Sequence, residues 1–396
     1  MVSLTKKIVI AGGGVGGYIS AKRLTEQIKK KNIDAEVLVV NKDGFHYMPP
    51  LFFDVAFGYG EPEDTRAPVV NMEKYGIKTA VDEIQKIDAA NRTVVGAKGK
   101  YQYDYLVVSL GTDVGWNAYP GLDKDGVHNF TLEGALEMKK ALSQVKDNSN
   151  IVLLVPEFPY RCGIYPYEAA PMLSLYTKQR GRKAKVTLLD PIPAPIMPVP
   201  NGGLGPEISR FLKETLDEFG VEYVPNAKLR EVDVQKKTVV TSSGEFKYDL
   251  LVKVPPARLP KALENSEGFV FKQDPRWSPA MPRSMRHPQY DDVYMAGEHS
   301  LPTIGIGLAG VFVESMAITA SGNIVADLTG FAPAQPYSPV TCVGYAGERG
   351  WMGTCEVPFD EQKGMYVPKC YFVGKYTVGR LLKQGFYGGW IDSLKF

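Results

Sequence analysis

The stretch Lys7–Lys29, KIVIAGGGVGGYISAKRLTEQIK, carries the clearest fold signal in the sequence. It predicts a buried strand over Lys7–Ala11 and a helix that begins at Tyr18. The apolar run Ala35–Val40 predicts the strand that closes a βαβ unit. Glycines in the intervening turn let the backbone approach a pyrophosphate at the helix N-terminus, so the stretch predicts a dinucleotide-binding fold. The turn satisfies the pattern GxGxxG through Gly12, Gly14 and Gly17.

The residue after the second strand is the weaker part of this pattern. An acid usually binds the ribose at that position, but here Asn41 is followed by Lys42. Because an amide can also hydrogen-bond a diol, we expect Asn41 and Lys42 to contact the nucleotide. A glycine turn that binds nothing is the alternative.

The second half of the chain repeats the first. The runs Ile151–Val155 and Ala184–Leu189 predict strands on either side of a helix over Tyr167–Gln179. The segment Lys247–Val252, KYDLLV, repeats the pattern of Tyr103–Val108, YDYLVV. We therefore predict two duplicated nucleotide-binding folds.

Composition narrows the function. The 396 residues are 44% hydrophobic and carry a net charge of +2, which gives no field strong enough for nucleic acid, so we expect no nucleic-acid partner. The four histidines show no metal spacing. The N-terminal residues run straight into a strand without a signal-peptide pattern, and no run reaches the roughly 18 apolar residues of a membrane span. We therefore expect the protein to lie on the cytoplasmic side of the cell membrane.

A cysteine lies among prolines where a nicotinamide-binding unit would carry glycines. The loop Val155–Glu168 is VPEFPYRCGIYPYE. Pro156, Pro159 and their bulky neighbours fill the space that a pyrophosphate needs, so NAD(P)H docking should be lost. Cys162 follows a predicted strand at the sheet end where α/β folds bind ligands, which favours a redox role over that of a buried apolar residue.

Three segments resemble the flavoprotein disulfide reductase superfamily, and the resemblance spans most of residues 5–330. They are GGGVGG from Gly12, YDYLVVSLGT from Tyr103 and DDVYMAGEHS from Asp291. The resemblance implies FAD, and it implies that Glu298 contacts the ribityl chain in place of the usual Asp. The other cofactor-binding residues that we expect are Pro50, Gly111, Thr112, Gly297 and Gly307.

Within that superfamily, the chain resembles the sulfide:quinone oxidoreductases and the flavin subunit of flavocytochrome c sulfide dehydrogenase. The segments that carry this likeness are YRC with PYE in the cysteine loop, Phe45–Pro50 with Val55–Gly58, and Tyr337–Cys342. The resemblance implies that Cys162 and Cys342 meet over one flavin face as a disulfide or sulfur-bridged pair, that sulfide attacks it, and that Glu168 accepts a proton. Glu168 could instead be a helix N-terminal acid.

The remaining cysteines have no such context. Cys355 and Cys370 are expected to be core or surface thiols. Relatives often carry a further cysteine before the first redox cysteine, whereas none precedes Cys162 here, so we expect FAD to bind non-covalently.

The tail from Val367 is rich in aromatic and basic residues. The spacing of Val378, Leu381, Leu382 and Phe386 suits an amphipathic helix at a membrane interface, and the family resemblance favours a peripheral membrane protein with a quinone channel there. A helix packed on its own domain or on another subunit is the alternative.

The resulting expectation is an α/β fold with two Rossmann-like domains, one of FAD type and one degenerate NAD type, and a membrane- and quinone-associated C-terminal region. The FAD-type domain is expected to comprise residues 1–118 and 285–330. The second Rossmann-like domain, 119–284, carries Cys162, and the C-terminal region, 331–396, carries Cys342. We expect sulfide and membrane quinone as substrates, and a homo-oligomer. The alternatives are a cytochrome-coupled sulfide dehydrogenase subunit, a type II NADH:quinone oxidoreductase, and a flavin-binding module without catalysis.

Overall fold

The computed structural model describes residues 5–196, 205–332, 340–377 and 379–395. Three parts of the sequence predictions lie outside these residues. They are the segment 337–339 before Cys342, and Val378 and Phe396 of the tail.

Eight α-helices lie within the described residues. α1 begins at Val15, inside the glycine turn, so the turn itself forms the helix N-terminus. The helices are α1 (Val15–Lys31), α2 (Phe52–Phe57), α3 (Leu132–Ser143), α4 (Tyr165–Gln179), α5 (Pro206–Glu218), α6 (Lys261–Glu264), α7 (Gly310–Thr329) and α8 (Gly379–Lys395).

The first sheet is parallel and five-stranded. Its central strand is apolar on both faces because α1 and α7 cover one side and further elements cover the other, which explains the unbroken run IVIA. In spatial order the strands are Val293–Met295, Tyr105–Val108, Lys6–Ala11, Ala35–Asn41 and Lys78–Val81.

The second sheet is parallel and four-stranded, and it repeats the plan of the first. Its strands, in spatial order, are Glu222–Val224, Lys185–Leu189, Asn150–Leu154 and Leu250–Lys253. Each unit also contains a three-stranded antiparallel sheet; these are Ile84–Asp88, Thr93–Gly96 and Lys100–Gln102 in the first unit, and Leu229–Asp233, Thr238–Thr241 and Gly244–Lys247 in the second.

The repeated Tyr-Asp pattern has one structural cause in both units. Asp104 accepts a hydrogen bond from the backbone N–H of Lys7 at 2.8 Å, and Asp249 accepts one from the N–H of Asn150 at 2.7 Å. Each aspartate therefore ties a later strand to the start of its unit's central strand. The predicted fold class and the duplication are confirmed.

The C-terminal region forms its own three-stranded antiparallel sheet, made of Val340–Ala346, Arg349–Glu356 and Lys369–Tyr376. Three further strand pairs are small; they are Phe45–Tyr47 with Arg66–Pro68, Asp113–Val114 with Ala257–Arg258, and Phe359–Asp360 with Met365–Tyr366. α8 packs against this sheet and against the loops around Pro49–Leu51 and Pro62–Thr65.

The prediction that Cys355 and Cys370 are free thiols is wrong, because they form a disulfide with an S–S distance of 2.02 Å. The two residues are direct partners in the antiparallel register between Arg349–Glu356 and Lys369–Tyr376. Direct cross-strand neighbours hold their Cβ atoms close enough to be bridged. The sequence did not reveal this pairing because the tail was not recognised as a strand.

This disulfide should stabilise the C-terminal sheet. It closes a short loop, since the cysteines are 15 residues apart, and the chain entropy removed from the unfolded state is worth roughly 3 kcal/mol. We expect the double variant Cys355→Ala/Cys370→Ala to lose roughly 2–4 kcal/mol of unfolding free energy in chemical denaturation. Adding reductant should lower the unfolding free energy of the wild type toward that of the variant and leave the variant's value unchanged. Equal unfolding free energies of the two proteins without reductant would contradict a stabilising role of the disulfide.

α7 is long and apolar enough to cross a membrane by length and composition, with a mean hydropathy of 1.2. It is 67% buried within the protein and packs on α1. α7 is therefore a core helix of the first unit.

Candidate active site

A cavity of about 590 Å³ lies where the C-terminal ends of the two parallel sheets face the C-terminal region. Almost all of the predicted site residues line it. These are Gly12, Gly14, Asn41, Lys42, Pro50, Gly111, Thr112, Cys162, Glu168, Gly297, Glu298, Gly307 and Cys342. Gly17 is the predicted site residue that is not among the lining residues.

The glycine turn shows why these positions lack side chains. A Cβ on Gly14 would meet open space, so this residue leaves the cavity floor free for a ligand. A Cβ on Gly17 would lie 1.8 Å from the carbonyl oxygen of Gly12. Gly12 has φ +102°, which favours glycine. Gly14 is therefore the candidate ligand contact, whereas Gly17 permits close packing of α1 on the turn.

The Asn41 side chain braces the turn. Its Oδ1 accepts a hydrogen bond from the N–H of Gly13 at 2.9 Å, and its Nδ2 donates to the carbonyl oxygens of Asp43 and Phe45 at 2.9 and 3.1 Å. His46 contacts the carbonyl oxygen of Gly13 through Nδ1 at 2.8 Å. Both amide ends of Asn41 thus hold protein groups, and its expected contact with the nucleotide stays a prediction.

Arg161 connects the cysteine loop to the first unit. Its Nη2 donates to the carbonyl oxygen of Thr112 at 2.6 Å and also to the Thr112 hydroxyl. Its Nε lies 3.1 Å from Oε2 of Glu298 in a largely buried ion pair. Arg161 therefore pairs with the acid expected to contact flavin, and not with a cysteine sulfur.

Cys162 has a strained backbone conformation, with φ +58° in the left-handed region that non-glycine residues rarely adopt. Its N–H donates to the carbonyl oxygen of Leu308 at 2.9 Å, and its own carbonyl oxygen accepts from the N–H of Tyr165 at 2.8 Å. Strain of this kind persists only when the surroundings hold it in place, and it occurs frequently at functional sites.

Cys162 reaches the cavity from the loop before α4 and Cys342 reaches it from the strand Val340–Ala346, and both are free thiols. The predicted disulfide between them is therefore not formed in the structure, where the disulfide joins Cys355 and Cys370. Burial, with a smaller contribution from the Glu168 carboxylate, raises the pKa of both thiols to about 12, and the Lys383 ammonium opposes the shift at Cys162.

Glu168 forms a buried ion pair with Lys383. Nζ of Lys383 lies 3.0 Å from Oε1 and 3.2 Å from Oε2, and Oε1 also accepts from the N–H of Tyr345 at 2.6 Å. Burial raises the pKa of Glu168, and Lys383 partly counteracts this effect. Gly344 is required nearby, because a Cβ there would lie 2.8 Å from Oε1 of Glu168.

Lys383 is the residue that the sequence analysis missed. It projects from α8 and lies 4.6 Å and 4.4 Å from the ring centres of Phe53 and Tyr345. A signal was present, because Lys383 shares the helical spacing of the inward residues of α8. Those residues are Tyr387, Trp390, Ile391 and Leu394.

The buried histidines near the site have structural partners. Besides His46, His299 contacts the Ser300 hydroxyl through Nδ1 at 2.8 Å. Burial lowers the pKa of both imidazoles to about 4, which keeps them neutral near pH 7. Within the described part of the chain, no group of three or more His, Cys, Asp or Glu side chains could hold a metal ion.

Two known proteins are similar in sequence to this chain over most of its length. The chain is 26% identical to the mitochondrial sulfide:quinone oxidoreductase of Dictyostelium discoideum over 412 aligned residues, which cover 97% of this chain and 86% of that protein. It is 24% identical to the sulfide-quinone reductase of Aquifex aeolicus, with 82% of this chain and 77% of that protein covered.

The fold is also that of a solved structure. The X-ray structure of the sulfide:quinone oxidoreductase from Aquifex aeolicus superposes with a TM-score of 0.82 at 21% identity, and it covers 98% of this chain and 91% of that one. The family model described as pyridine nucleotide-disulphide oxidoreductase matches residues 6–298, which include the glycine turn, the cysteine loop and Glu298. The chain therefore belongs to the pyridine nucleotide-disulphide oxidoreductase family.

Proposed function

We propose that the protein is a sulfide:quinone oxidoreductase that passes electrons from sulfide to quinone through a bound FAD. The observation that carries the proposal is the arrival of two free thiols, Cys162 and Cys342, at the cavity that the glycine turn also lines. The relatives that match most of the chain support sulfide as the donor and quinone as the acceptor.

The residues present fit a flavin nucleotide. The floor at Gly14 is open, α1 directs its N-terminal N–H groups toward it, and Thr112 and Glu298 line the same cavity. Gly12, Gly14, Pro50, Gly111, Gly297 and Gly307 would hold the FAD, and Lys42 would lie at its nucleotide end. When bound, the flavin would accept an electron pair from sulfur and pass it to the quinone.

The sulfur steps balance on the two cysteines. Oxidation of both thiols to a disulfide releases two electrons and two protons. HS⁻ then attacks one sulfur, the S–S bond breaks, and a persulfide remains on one cysteine with a thiolate on the other. Loss of another electron pair and one proton joins them through the added sulfur atom. For each sulfide, HS⁻, one proton and a quinone yield one sulfur at the zero oxidation level and a quinol.

Glu168 is the proposed proton acceptor for these steps. Its Oε2 accepts a hydrogen bond only from Lys383 among the described side chains, so it keeps capacity for a proton, while Oε1 is held by Tyr345. The Lys383 ammonium also faces the sulfur site and favours the thiolate form of Cys162. Glu168 also lies in the first turn of α4, so it can act both as a proton acceptor and as a helix N-terminal acid.

The cofactor part of the proposal predicts different outcomes for two glycines of the same turn. In Gly14→Ala the new methyl group enters open space, so we expect loss of bound flavin with less than about 1 kcal/mol change in the unfolding free energy of the flavin-free protein. In Gly17→Ala the methyl group would clash with the carbonyl oxygen of Gly12, so we expect the unfolding free energy to fall by about 1–3 kcal/mol.

Flavin content by absorbance and chemical denaturation measure these two effects separately. Full flavin retention in Gly14→Ala would contradict the assigned binding floor.

The C-terminal region supports a peripheral membrane site. Leu381 of α8 is 69% exposed, while Lys383, Phe386 and Tyr387 of the same helix line the cavity, and Phe386 is also 45% exposed. A helix that exposes apolar side chains beside the cavity suits attachment to a bilayer with quinone entering next to it. We propose that the protein attaches at the cytoplasmic side as a homo-oligomer, with regions 1–118 and 285–330 for FAD, 119–284 for Cys162, and 331–396 for Cys342 and the membrane.

The NADH alternative is disfavoured by the second unit. Prolines and aromatic side chains occupy its pyrophosphate loop. On that loop the Glu157 carboxylate lies 2.5 Å from Nη1 of Arg258 and 3.5 Å from Nη1 of Arg276, so these two guanidinium groups are already paired with an acid of the protein.

Turnover assays test the proposed function. The purified, flavin-loaded protein should reduce a soluble quinone with sulfide and not with NADH. Reduction of a soluble cytochrome c by sulfide, without quinone reduction, would favour the cytochrome-coupled alternative. Quinone reduction by NADH at a comparable rate would refute the proposal.

A further inference from the structure

A second buried acid, Asp190, lies near the cysteine loop and has no part in the chemistry above. It directly follows the strand Lys185–Leu189 and is completely buried. No basic side chain forms an ion pair with it among the residues described. Burial raises its pKa to about 6. Because burying an uncompensated carboxyl is costly, its retention calls for an explanation.

The position of Asp190 in its unit is informative. In the first unit, Asn41 ends the strand Ala35–Asn41, which is the second strand of the βαβ unit. Asp190 follows the equivalent strand of the second unit, where a nucleotide-binding fold carries the acid that binds a ribose. A completely buried carboxyl cannot bind a ribose, so this acid serves another group.

That group is a pair of tyrosines. Oδ2 of Asp190 accepts hydrogen bonds from the hydroxyls of Tyr167 at 2.5 Å and Tyr223 at 2.9 Å, and Oδ1 accepts one from the N–H of Ile192 at 3.2 Å. Tyr167 is on α4, one residue before Glu168, so the acid is connected directly to the helix that begins at the cysteine loop.

The chain of contacts continues to the turn at Cys162. The Tyr160 hydroxyl lies 3.4 Å from the Tyr167 hydroxyl and 3.1 Å from the carbonyl oxygen of Gly163. Tyr160 and Gly163 flank Cys162, so the Tyr160 side chain spans the strained residue. The N–H of Ile196, itself at φ +46°, donates to the Tyr167 hydroxyl at 3.3 Å. Tyr167 thus links Asp190 to two left-handed residues at the cavity wall.

We propose that Asp190 is a positioning residue that, through Tyr167 and Tyr160, fixes the backbone turn presenting Cys162 to the cavity. The acid position of a nucleotide-binding unit has thereby been converted to hold a redox cysteine. Only the redox role of Cys162 in this proposal rests on the proposed function; the tether itself does not.

Site-resolved alkylation tests the tether. Flavin-loaded protein, reduced with dithiothreitol and desalted anaerobically, is pulsed with iodoacetamide, and the Cys162 and Cys342 peptides are quantified by mass spectrometry. Cys342 lies on the strand Val340–Ala346, outside the cysteine loop, and serves as the internal reference. We expect Tyr167→Phe and Asp190→Asn to raise the Cys162-to-Cys342 labelling ratio about tenfold, because the turn is released.

Tyr223→Phe is the matched control, since it removes the same kind of hydrogen bond from the same Oδ2 atom without touching the cysteine loop. It should change the ratio less than about twofold. In Tyr167→Phe, flavin reduction by sulfide should slow about tenfold while the half-saturating sulfide concentration stays constant, because the loss affects orientation and not binding.

An unchanged labelling ratio in Tyr167→Phe and Asp190→Asn would overturn the proposal, as would an equal rise in Tyr223→Phe. If sulfide does not reduce the wild-type flavin, the proposed function fails, and the labelling ratio still decides whether the tether exists.

Discussion

Replacing Cys162 with alanine lowers the rate of flavin reduction by sulfide at least about a thousandfold, because the variant has no sulfur bond for sulfide to attack. Cys342→Ala has a similar effect, since the pair acts as a unit and neither sulfur can substitute for the other. Stopped-flow absorbance of the flavin, under anaerobic conditions with excess sulfide, measures the rate. Both variants should retain bound flavin, because neither cysteine belongs to the glycine turn.

The disulfide provides the matched control for these variants. Cys355→Ala/Cys370→Ala removes two sulfur atoms from the same sheet that carries Cys342, yet these residues are buried in register with each other and do not line the cavity. This double variant should lose stability and keep its rate of flavin reduction within about threefold. Comparable rates in Cys162→Ala and wild type would eliminate the cysteine mechanism.

Replacing Lys383 with methionine costs about 3–5 kcal/mol of unfolding free energy at pH 8, because it leaves the Glu168 carboxylate buried without its cation. The pKa of Glu168 is already raised from its ordinary value of 4.5 by burial, and loss of Lys383 raises it further. An acid with a raised folded-state pKa stabilises the fold below its unfolded value, and that contribution is lost as the pH rises through the folded value. The unfolding free energy of the variant should therefore be close to that of the wild type near pH 5 and fall below it as the pH increases.

Two further variants isolate the ion pair. Glu168→Gln/Lys383→Met removes both charges and should recover a large part of the lost stability at pH 8, because no unpaired charge remains. Lys369→Met changes an exposed lysine of the same region and should alter stability by less than about 0.5 kcal/mol. Urea denaturation at pH 5 and pH 8 gives each value, and a loss in Lys383→Met that is independent of pH would show that Glu168 is not the group left unpaired.

The fold could be predicted because its signals are local. The glycine turn, the apolar strands and the Tyr-Asp repeat each lie within a short stretch of sequence, and the structure places them in two similar units. The cysteine loop was found for the same reason, since its prolines replace expected glycines at a fixed point of a βαβ pattern. The meeting of Cys162 and Cys342 came from family resemblance.

The missed features depend on contacts between distant segments. Lys383 and Glu168 are far apart in the sequence, and only the packing of α8 brings them together. The Cys355–Cys370 disulfide depends on the register of two strands, neither of which was predicted. The bracing of the glycine turn by Asn41 also depends on a contact that sequence position alone does not reveal, and its expected contact with the nucleotide stays a prediction.

An anaerobic titration of the wild-type, flavin-loaded protein with sulfide and, separately, with NADH identifies the electron donor. We expect sulfide to bleach the flavin absorbance with a stoichiometric endpoint, a soluble quinone to restore it, and NADH to leave it unchanged. Rapid bleaching by NADH, with no response to sulfide, would refute sulfide oxidation and assign the electrons to a nicotinamide donor.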